Sequence, residues 1–118
     1  MDIKLKRKED LYVIELHGEM DLYNASKVKE IFMKIIEKNI QKLLIDFQHC
    51  EYIDSTGVGT LLGMYAIAKE KKMKYFLIHV KGTVERVLTL TKLMEYFPIL
   101  PTLESAIEQI NRHNGQTS

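Results

Sequence analysis

The residues best suited to chemistry lie in one short segment, Asp54-Ser55-Thr56-Gly57, between a predicted strand and a predicted helix. Its first three residues are of types that cap helix N-termini. The first turn of a helix leaves backbone N–H groups unpaired and carries the positive end of the helix dipole, so a phosphate attached there would be stabilised. We therefore predict that a hydroxyl held at this position, that of Ser55 or Thr56, is well placed to carry a phosphate. The simpler alternative is that the hydroxyls only cap the helix.

The helix predicted after this segment has a second feature, an apolar surface beside Ser55. Met64 and Ile67 fall outside the expected core stripe, and exposed apolar side chains of this kind suit protein docking. Gly57 and Gly59 lack side chains, so we expect a partner to approach closely there. Alternatively, a neighbouring segment covers Met64 and Ile67. The candidate partner-binding residues here are Asp54, Thr56, Gly57, Gly59, Thr60, Gly63, Met64 and Ile67.

Alternating strand and helix patterns predict the scaffold that positions this segment. Runs at 4–7 and 11–17 predict a hairpin, with Gly18 ending its second strand, and runs at 42–47, 75–80 and 97–100 predict further strands. Helical stripes begin near Ala25, after Asp54, at Gly82 and after Thr102. We predict an α/β fold: one mixed, mostly parallel sheet with an N-terminal β-hairpin and about four helices. The tail 113–118 is expected to be loose.

Composition narrows the possible function classes. The 118 residues predict a single domain spanning 1–118, at roughly 150 residues per domain. A net charge of +1 argues against a general nucleic-acid binder. The single cysteine, Cys50, excludes an intrachain disulfide and zinc sites built on paired cysteines. The uncharged stretch 55–68 is too short for a membrane helix, which needs about 18 residues. We expect no cofactor, no metal and a cytoplasmic setting.

Two motifs carry a resemblance to a known family. Residues 54–59, Asp-Ser-Thr-Gly-Val-Gly, resemble the phosphorylation motif of the STAS-domain anti-sigma factor antagonists, Asp-Ser-[Ser/Thr]-Gly-aliphatic-Gly. Residues 18–21, Gly-Glu-Met-Asp, resemble their Gly-Glu-aliphatic-Asp segment, with Met20 in place of the usual leucine or isoleucine. The order of elements fits from 4 to 110. The resemblance implies a STAS fold with Ser55 as phosphoacceptor, and it adds Asp21 to the partner-binding candidates.

The function that the resemblance implies is a switch and not an enzyme. The unphosphorylated antagonist would bind an anti-sigma factor that is also a serine kinase, and a sigma factor would be released for transcription. A PP2C-type phosphatase would reset the switch. The chain is then expected to contact neither nucleic acid nor membrane directly and to be a monomer when free. The alternative within the family is a STAS scaffold or regulatory module of a stress-signalling complex, without a sigma factor target.

Three other readings of the same residues fit less well. A response-regulator receiver would use Asp54, but it needs an acidic pair after its first strand, and residues 17–19 supply none. A dinucleotide fingerprint would use Gly57 and Gly59, but the third glycine, Gly63, comes one residue late. A serine hydrolase would use Ser55, which lacks the Gly-x-Ser-x-Gly elbow.

Overall fold

The computed structural model describes the backbone of residues 1–115 and the side chains of residues 1–112. Within this part of the chain there are five strands and four helices. The strands are β1 (Asp2–Lys8), β2 (Leu11–Met20), β3 (Lys42–Ile53), β4 (Lys74–Ile78) and β5 (Ile99–Leu100). The helices are α1 (Ala25–Glu37), α2 (Ser55–Glu70), α3 (Gly82–Leu90) and α4 (Leu103–Gly115). They confirm the predicted class.

The five strands lie side by side in chain order. β1 and β2 form an antiparallel hairpin, and each later pair is parallel. Each parallel connection moves one strand further in the same direction. Because such crossovers are right-handed, α1, α2 and α3 all fall on one face of the sheet. The carboxyl ends of the parallel strands therefore share one edge of the sheet with the beginnings of these helices.

Helix α4 covers the opposite face of the sheet. Alternate side chains of a strand point to opposite faces. One set, including Ile14, Ile45 and Leu77, packs with α1, α2 and α3 in the main core. The other set packs against Ala106 and Ile110 of α4; its strand members are Leu11, Val13, Leu44 and Ile78. The sheet is therefore buried on both faces, as the apolar runs of β3 and β4 require.

Strands β2 and β3 extend beyond the C-terminal ends that the sequence pattern predicts. Gly18 was expected to end β2, but the strand continues through it to Met20. Gly18 adopts φ 103°, and the pairing register of β2 with β3 shifts on both sides of it. β3 runs to Ile53, six residues past the predicted end at 47. The result is that Met20 pairs with Ile53, which brings the segments after both strands together.

The C-terminal helix also extends further than expected. α4 runs to Gly115, so it includes the first three residues of the tail 113–118 that was predicted to be loose. Residues 116–118 lie outside the described residues. None of the helices described in residues 1–115 has the length and apolar character that crossing a bilayer demands.

Candidate functional site

Asp54 ties together the two segments that follow β2 and β3. Its backbone N–H donates to the carbonyl of Met20 at 3.2 Å. Its carboxylate accepts two further bonds of 2.9 Å, one from the N–H of Leu22 and one from the N–H of Gly57. Asp54 is therefore the N-cap of α2 and also the anchor of the loop before α1. The capping alternative assigned this role to the hydroxyls, whereas the structure gives it to the Asp54 carboxylate.

The hydroxyl of Ser55 does not cap the helix at this turn. Ser55 is the first residue of α2 and is exposed to solvent. Because Asp54 supplies the cap, the Ser55 hydroxyl takes part in no hydrogen bond among the described residues. The N–H groups of Ser55 and Thr56 have no acceptor within the helix, as for the first residues of any α-helix. A phosphate on Ser55 would find these donors and the positive end of the α2 dipole within reach.

Asp21 shapes the neighbouring loop. Its Oδ1 accepts from the N–H of Tyr23 at 2.9 Å, and its own N–H donates to Asn24 Oδ1 at 3.1 Å. The carbonyl of Asp21 accepts from the N–H of Ala25, the first residue of α1. The side chain thus folds the turn that leads into α1, and Leu22 links this turn to Asp54. Asp21 therefore shapes the backbone of the loop beside the α2 turn, and its role in partner binding stays a prediction.

The loop carries two exposed apolar side chains that the sequence patterns did not single out. Leu22 is 63% exposed and Tyr23 is 84% exposed. Both follow the Gly-Glu-Met-Asp motif directly. Two large apolar residues in a predicted loop were the sequence feature that could have indicated an exposed apolar surface here. We call the exposed residues around Ser55, the predicted phosphoacceptor, the switch surface; its members are Leu22, Tyr23, Ser55, Thr56 and Gly59.

The two glycines of the motif have opposite roles. Gly57 is buried, and a Cβ there would lie 2.5 Å from the carbonyl oxygen of Met20 and 2.7 Å from Cγ1 of Ile53. Its expected role of admitting a partner is wrong, because the space is taken by the ends of β2 and β3. Gly59 is exposed, and a Cβ there would meet nothing within 4 Å. Gly59 is therefore the glycine that leaves room for an approaching molecule.

Met64 does not belong to an exposed docking patch, so that prediction is wrong. Its side chain is fully buried in the main core, and Ile67 is half-buried against the same core. The alternative, that neighbouring segments cover both side chains, holds for Met64 because α2 packs against α1 as well as the sheet. Thr60 and Gly63 are partly exposed, and a Cβ added at Gly63 would lie 3.8 Å from Lys29 Nζ of α1.

Two other reactive side chains near the site, Cys50 and His49, do not face each other. Cys50 of β3 is buried, and burial raises the pKa of its thiol, which keeps it protonated. His49, its neighbour, points away from it and stacks on His17 with ring centroids 4.6 Å apart. Within the part of the chain that the structure describes, no group of three or more His, Cys, Asp or Glu residues could hold a metal ion.

Known proteins share this arrangement of elements. The family model described as STAS domain matches residues 2–106. An anti-sigma-B factor antagonist of Listeria monocytogenes is 28% identical over 100 residues, which cover 84% of this chain and 88% of the relative.

Two solved structures match at the level of the fold. An anti-sigma factor antagonist from Mycobacterium paratuberculosis superposes with a TM-score of 0.83 at 21% identity, covering 93% of each chain. The Bacillus cell fate determinant SpoIIAA in its phosphorylated form superposes with a TM-score of 0.72 at 21% identity, covering 92% of this chain and 99% of that one.

Proposed function

The chain belongs to the STAS domain family, and on that premise we propose that it is an anti-sigma factor antagonist switched by phosphorylation of Ser55. In its unphosphorylated form it binds an anti-sigma factor that is also a serine kinase, and a sigma factor is freed for transcription in the cytoplasm. The observation that carries the proposal is the exposed Ser55 hydroxyl, relieved of capping by Asp54. The names of the curated relatives support the anti-sigma target.

The switch surface supports binding of the unphosphorylated form. Leu22 and Tyr23 offer apolar area beside Ser55, while Gly59 leaves space above the first turn of α2. Exposed tyrosine next to a small open patch is the kind of feature that dominates binding energy at protein interfaces. The kinase would therefore bury Leu22 and Tyr23 while its catalytic site reaches the Ser55 hydroxyl.

Phosphate transfer requires only positioning from this chain. Ser55 Oγ forms a bond to the γ-phosphorus of ATP, the bond to ADP breaks, and the hydroxyl proton passes to a base on the kinase. A PP2C-type phosphatase would hydrolyse the phosphoester and restore the hydroxyl. Both steps require an exposed serine, and Ser55 meets this requirement.

The effect of the phosphate is local electrostatics and sterics. It adds about −1.5 to −2 charges at neutral pH beside the Asp54 carboxylate. The fold is retained, since both bonds of the Asp54 carboxylate go to backbone N–H groups that the phosphate does not need. The partner loses a neutral contact and meets an anion. A penalty of a few kcal/mol lowers its affinity by about 100-fold or more.

Binding measurements with a charge mimic test this proposal. The titrant is an anti-sigma kinase from the same genome, and calorimetry gives its affinity for the chain. We expect Ser55→Asp to weaken binding by about 100-fold and Ser55→Ala to leave it within about threefold. Thr89→Asp, at an exposed position of α3, is the control for added charge elsewhere. Equal losses for Ser55→Asp and Thr89→Asp, or no loss for either, would contradict the proposal.

A failure of all anti-sigma kinases to bind would favour the other family role, that of a scaffold or regulatory module in a stress-signalling complex. NMR spectra of the Ser55→Asp protein show whether this variant is correctly folded, so that a loss of binding is not mistaken for misfolding. Amide shifts confined to the switch surface are expected, whereas changes spread over the sheet would contradict a local mechanism.

A further inference from the structure

A cavity of about 240 Å³ lies on the face of the sheet that carries α4, between that helix and the edge strand β1. Helix α4 packs mostly on β4 and β5, at the other edge of the sheet, which leaves a gap beside β1. Leu11 and Val13 of β2 and Ile107 of α4 give the cavity apolar walls. Helix α2 lies on the opposite face of the sheet, so this cavity is distinct from the switch surface.

A nearly buried carboxylate, that of Asp46, lies in the wall of the cavity. Asp46 follows Leu44 by two residues on β3, so both side chains point to the α4 face. The residue is 8% exposed, and its side chain keeps 11% of its surface open. Asp46 is therefore held in place by the fold and can still be reached from the cavity.

The two oxygens of the Asp46 carboxylate are used unequally. Oδ1 accepts from the backbone N–H of Gln48 at 2.9 Å and from Nδ1 of His79 at 2.8 Å. Oδ2 accepts no hydrogen bond from the described residues. Buried polar groups are satisfied in the great majority of cases. Oδ2 therefore marks a position for a donor that comes from outside the chain.

The charges beside Asp46 favour a cation as that donor. Glu15 is the register partner of Asp46, so two carboxylates stand side by side on this face. Glu15 is already partnered on both oxygens, by Lys6 Nζ at 2.7 Å and by His17 Nε2 at 3.0 Å. Asp46, in contrast, forms no ion pair with a lysine or arginine among the described residues. A cation in the cavity would meet a carboxylate that no such ion pair neutralises.

The other two basic residues of the lining are placed away from Asp46. The Arg7 guanidinium lies 5.5 Å from the ring centroid of Tyr12, which packs on the main core and hence on the opposite face. Lys8 pairs with Leu11, four residues before the register partner of Asp46 on β2. At about 3.3 Å per residue this is roughly 13 Å along the strand. Neither residue therefore occupies the position of the missing donor.

We propose that this cavity binds a small primary amine with an apolar body. Its ammonium group donates to Asp46 Oδ2, and its hydrocarbon chain lies along Leu11, Val13 and Ile107. Ammonium–carboxylate hydrogen bonds are among the strong ones, and apolar walls with few polar groups are usual for ligand sites. The volume is just below the range of about 300–1,000 Å³ for drug-sized ligands, which suits a chain of about five carbons. The site does not involve Ser55, so its test does not depend on the proposed function.

NMR titration of the isotope-labelled chain tests the site with pentylamine as the probe. Methylamine controls for charge alone, 1-pentanol for the apolar body alone, and pentanoate for the sign of the charge. We expect saturable shifts at the amides of Val13, Asp46 and Ile107 with a Kd of about 1 mM. Each control should bind at least about tenfold more weakly. The amide of Ser55 should not move.

Two variants are expected to change the affinity in opposite directions. Asp46→Asn removes the charge but keeps an acceptor oxygen for both of its present donors, so it should fold and bind pentylamine about tenfold more weakly. Lys6→Gln frees Glu15 Oε2 from its ion pair and should tighten binding by about threefold. Glu30→Gln, at an exposed position of α1 on the other face, is the matched control and should leave the Kd unchanged.

The amide spectrum of each variant shows whether it is folded, and Lys6→Gln still tests the site if Asp46→Asn unfolds. The proposal is overturned if pentylamine gives no saturable shifts, or if any of the three control compounds binds as tightly. It is equally overturned if a folded Asp46→Asn protein binds as tightly as the parent, or if Lys6→Gln weakens the binding.

Discussion

The beginnings of α2 and α4 carry similar residues and use them in opposite ways. At α4, Thr102 Oγ1 accepts from the N–H of Ser105 at 3.0 Å, and the Ser105 hydroxyl donates to the Thr102 carbonyl at 2.8 Å. The N–H of Thr102 donates back to Ser105 Oγ. Both hydroxyls are thus used up by the cap. At α2 the cap comes from Asp54, and the hydroxyl of Ser55 remains in solvent.

The difference teaches that a hydroxyl at a helix N-terminus is available only when another residue supplies the cap. Asp54 does so one position before Ser55, and its carboxylate holds the 21–24 loop as well. Under the proposed function, a phosphate on Ser55 would therefore be added and removed without unfolding the start of α2. A phosphate on Ser105 would break the cap that begins α4.

The largest effect on stability is expected from the buried glycine of the α2 turn. Gly57→Ala places a Cβ 2.5 Å from a backbone oxygen, which cannot move aside as a side chain can. We expect it to lower the free energy of unfolding by about 3 kcal/mol. Gly59→Ala is the matched control and should raise it by about 0.5–1 kcal/mol, since its Cβ meets open space. Urea unfolding measures both; equal effects would contradict the packing assigned to Gly57.

Removing each cap compares the two helix starts directly. Asp54→Ala deletes two bonds to a carboxylate and should lower the free energy of unfolding by about 2 kcal/mol, against about 1 kcal/mol for Thr102→Ala. Asp54→Asn keeps one acceptor oxygen and should fall between them. Urea unfolding of the three variants provides the measurement. A smaller loss for Asp54→Ala than for Thr102→Ala would contradict the larger contribution to stability that we assign to the α2 cap.

The exposed loop should matter for binding and not for stability. Tyr23→Ala removes a side chain that is 84% exposed, so unfolding should change by less than about 0.5 kcal/mol. Its affinity for the anti-sigma kinase should fall by about tenfold. Calorimetry with Leu90→Ala, an exposed apolar position on α3, supplies the control. If the Tyr23→Ala protein binds as tightly as the parent, the kinase does not contact Tyr23 and the prediction is contradicted.

The smallest effect is expected at an ion pair remote from both helix starts. Hydrogen bonds from Lys6, at 2.7 Å, and from His17 hold the pKa of Glu15 below its ordinary value of 4.5. A lowered pKa contributes stability above the unfolded value that is lost as pH falls through the folded value. Lys6→Gln should therefore lower the free energy of unfolding slightly at pH 7, and the difference from the parent should shrink as the pH is lowered below 4.5. A difference that grows in acid would contradict this sign.

The sequence predicted the class of fold, because that class depends on local patterns. The same patterns place Ser55 at the start of α2, and its role as phosphoacceptor stays a prediction. Strand runs and helical stripes repeat at periods that a single sequence displays. The burial of Met64 could not be predicted in this way. α2 is apolar on more than one side, and which sides are covered depends on how α1 packs across it. The roles of Gly57 and Leu22 likewise depend on the continuation of β2 and β3 to Met20 and Ile53.

The central claim, that Ser55 is the available hydroxyl of the α2 turn, is tested most directly by phosphorylation and site mapping. The chain is incubated with an anti-sigma kinase and ATP, and intact mass and peptide fragmentation follow. One phosphate on Ser55, absent from the Ser55→Ala protein, is the predicted result. A phosphate on Thr56 alone, or on Ser105, would contradict it.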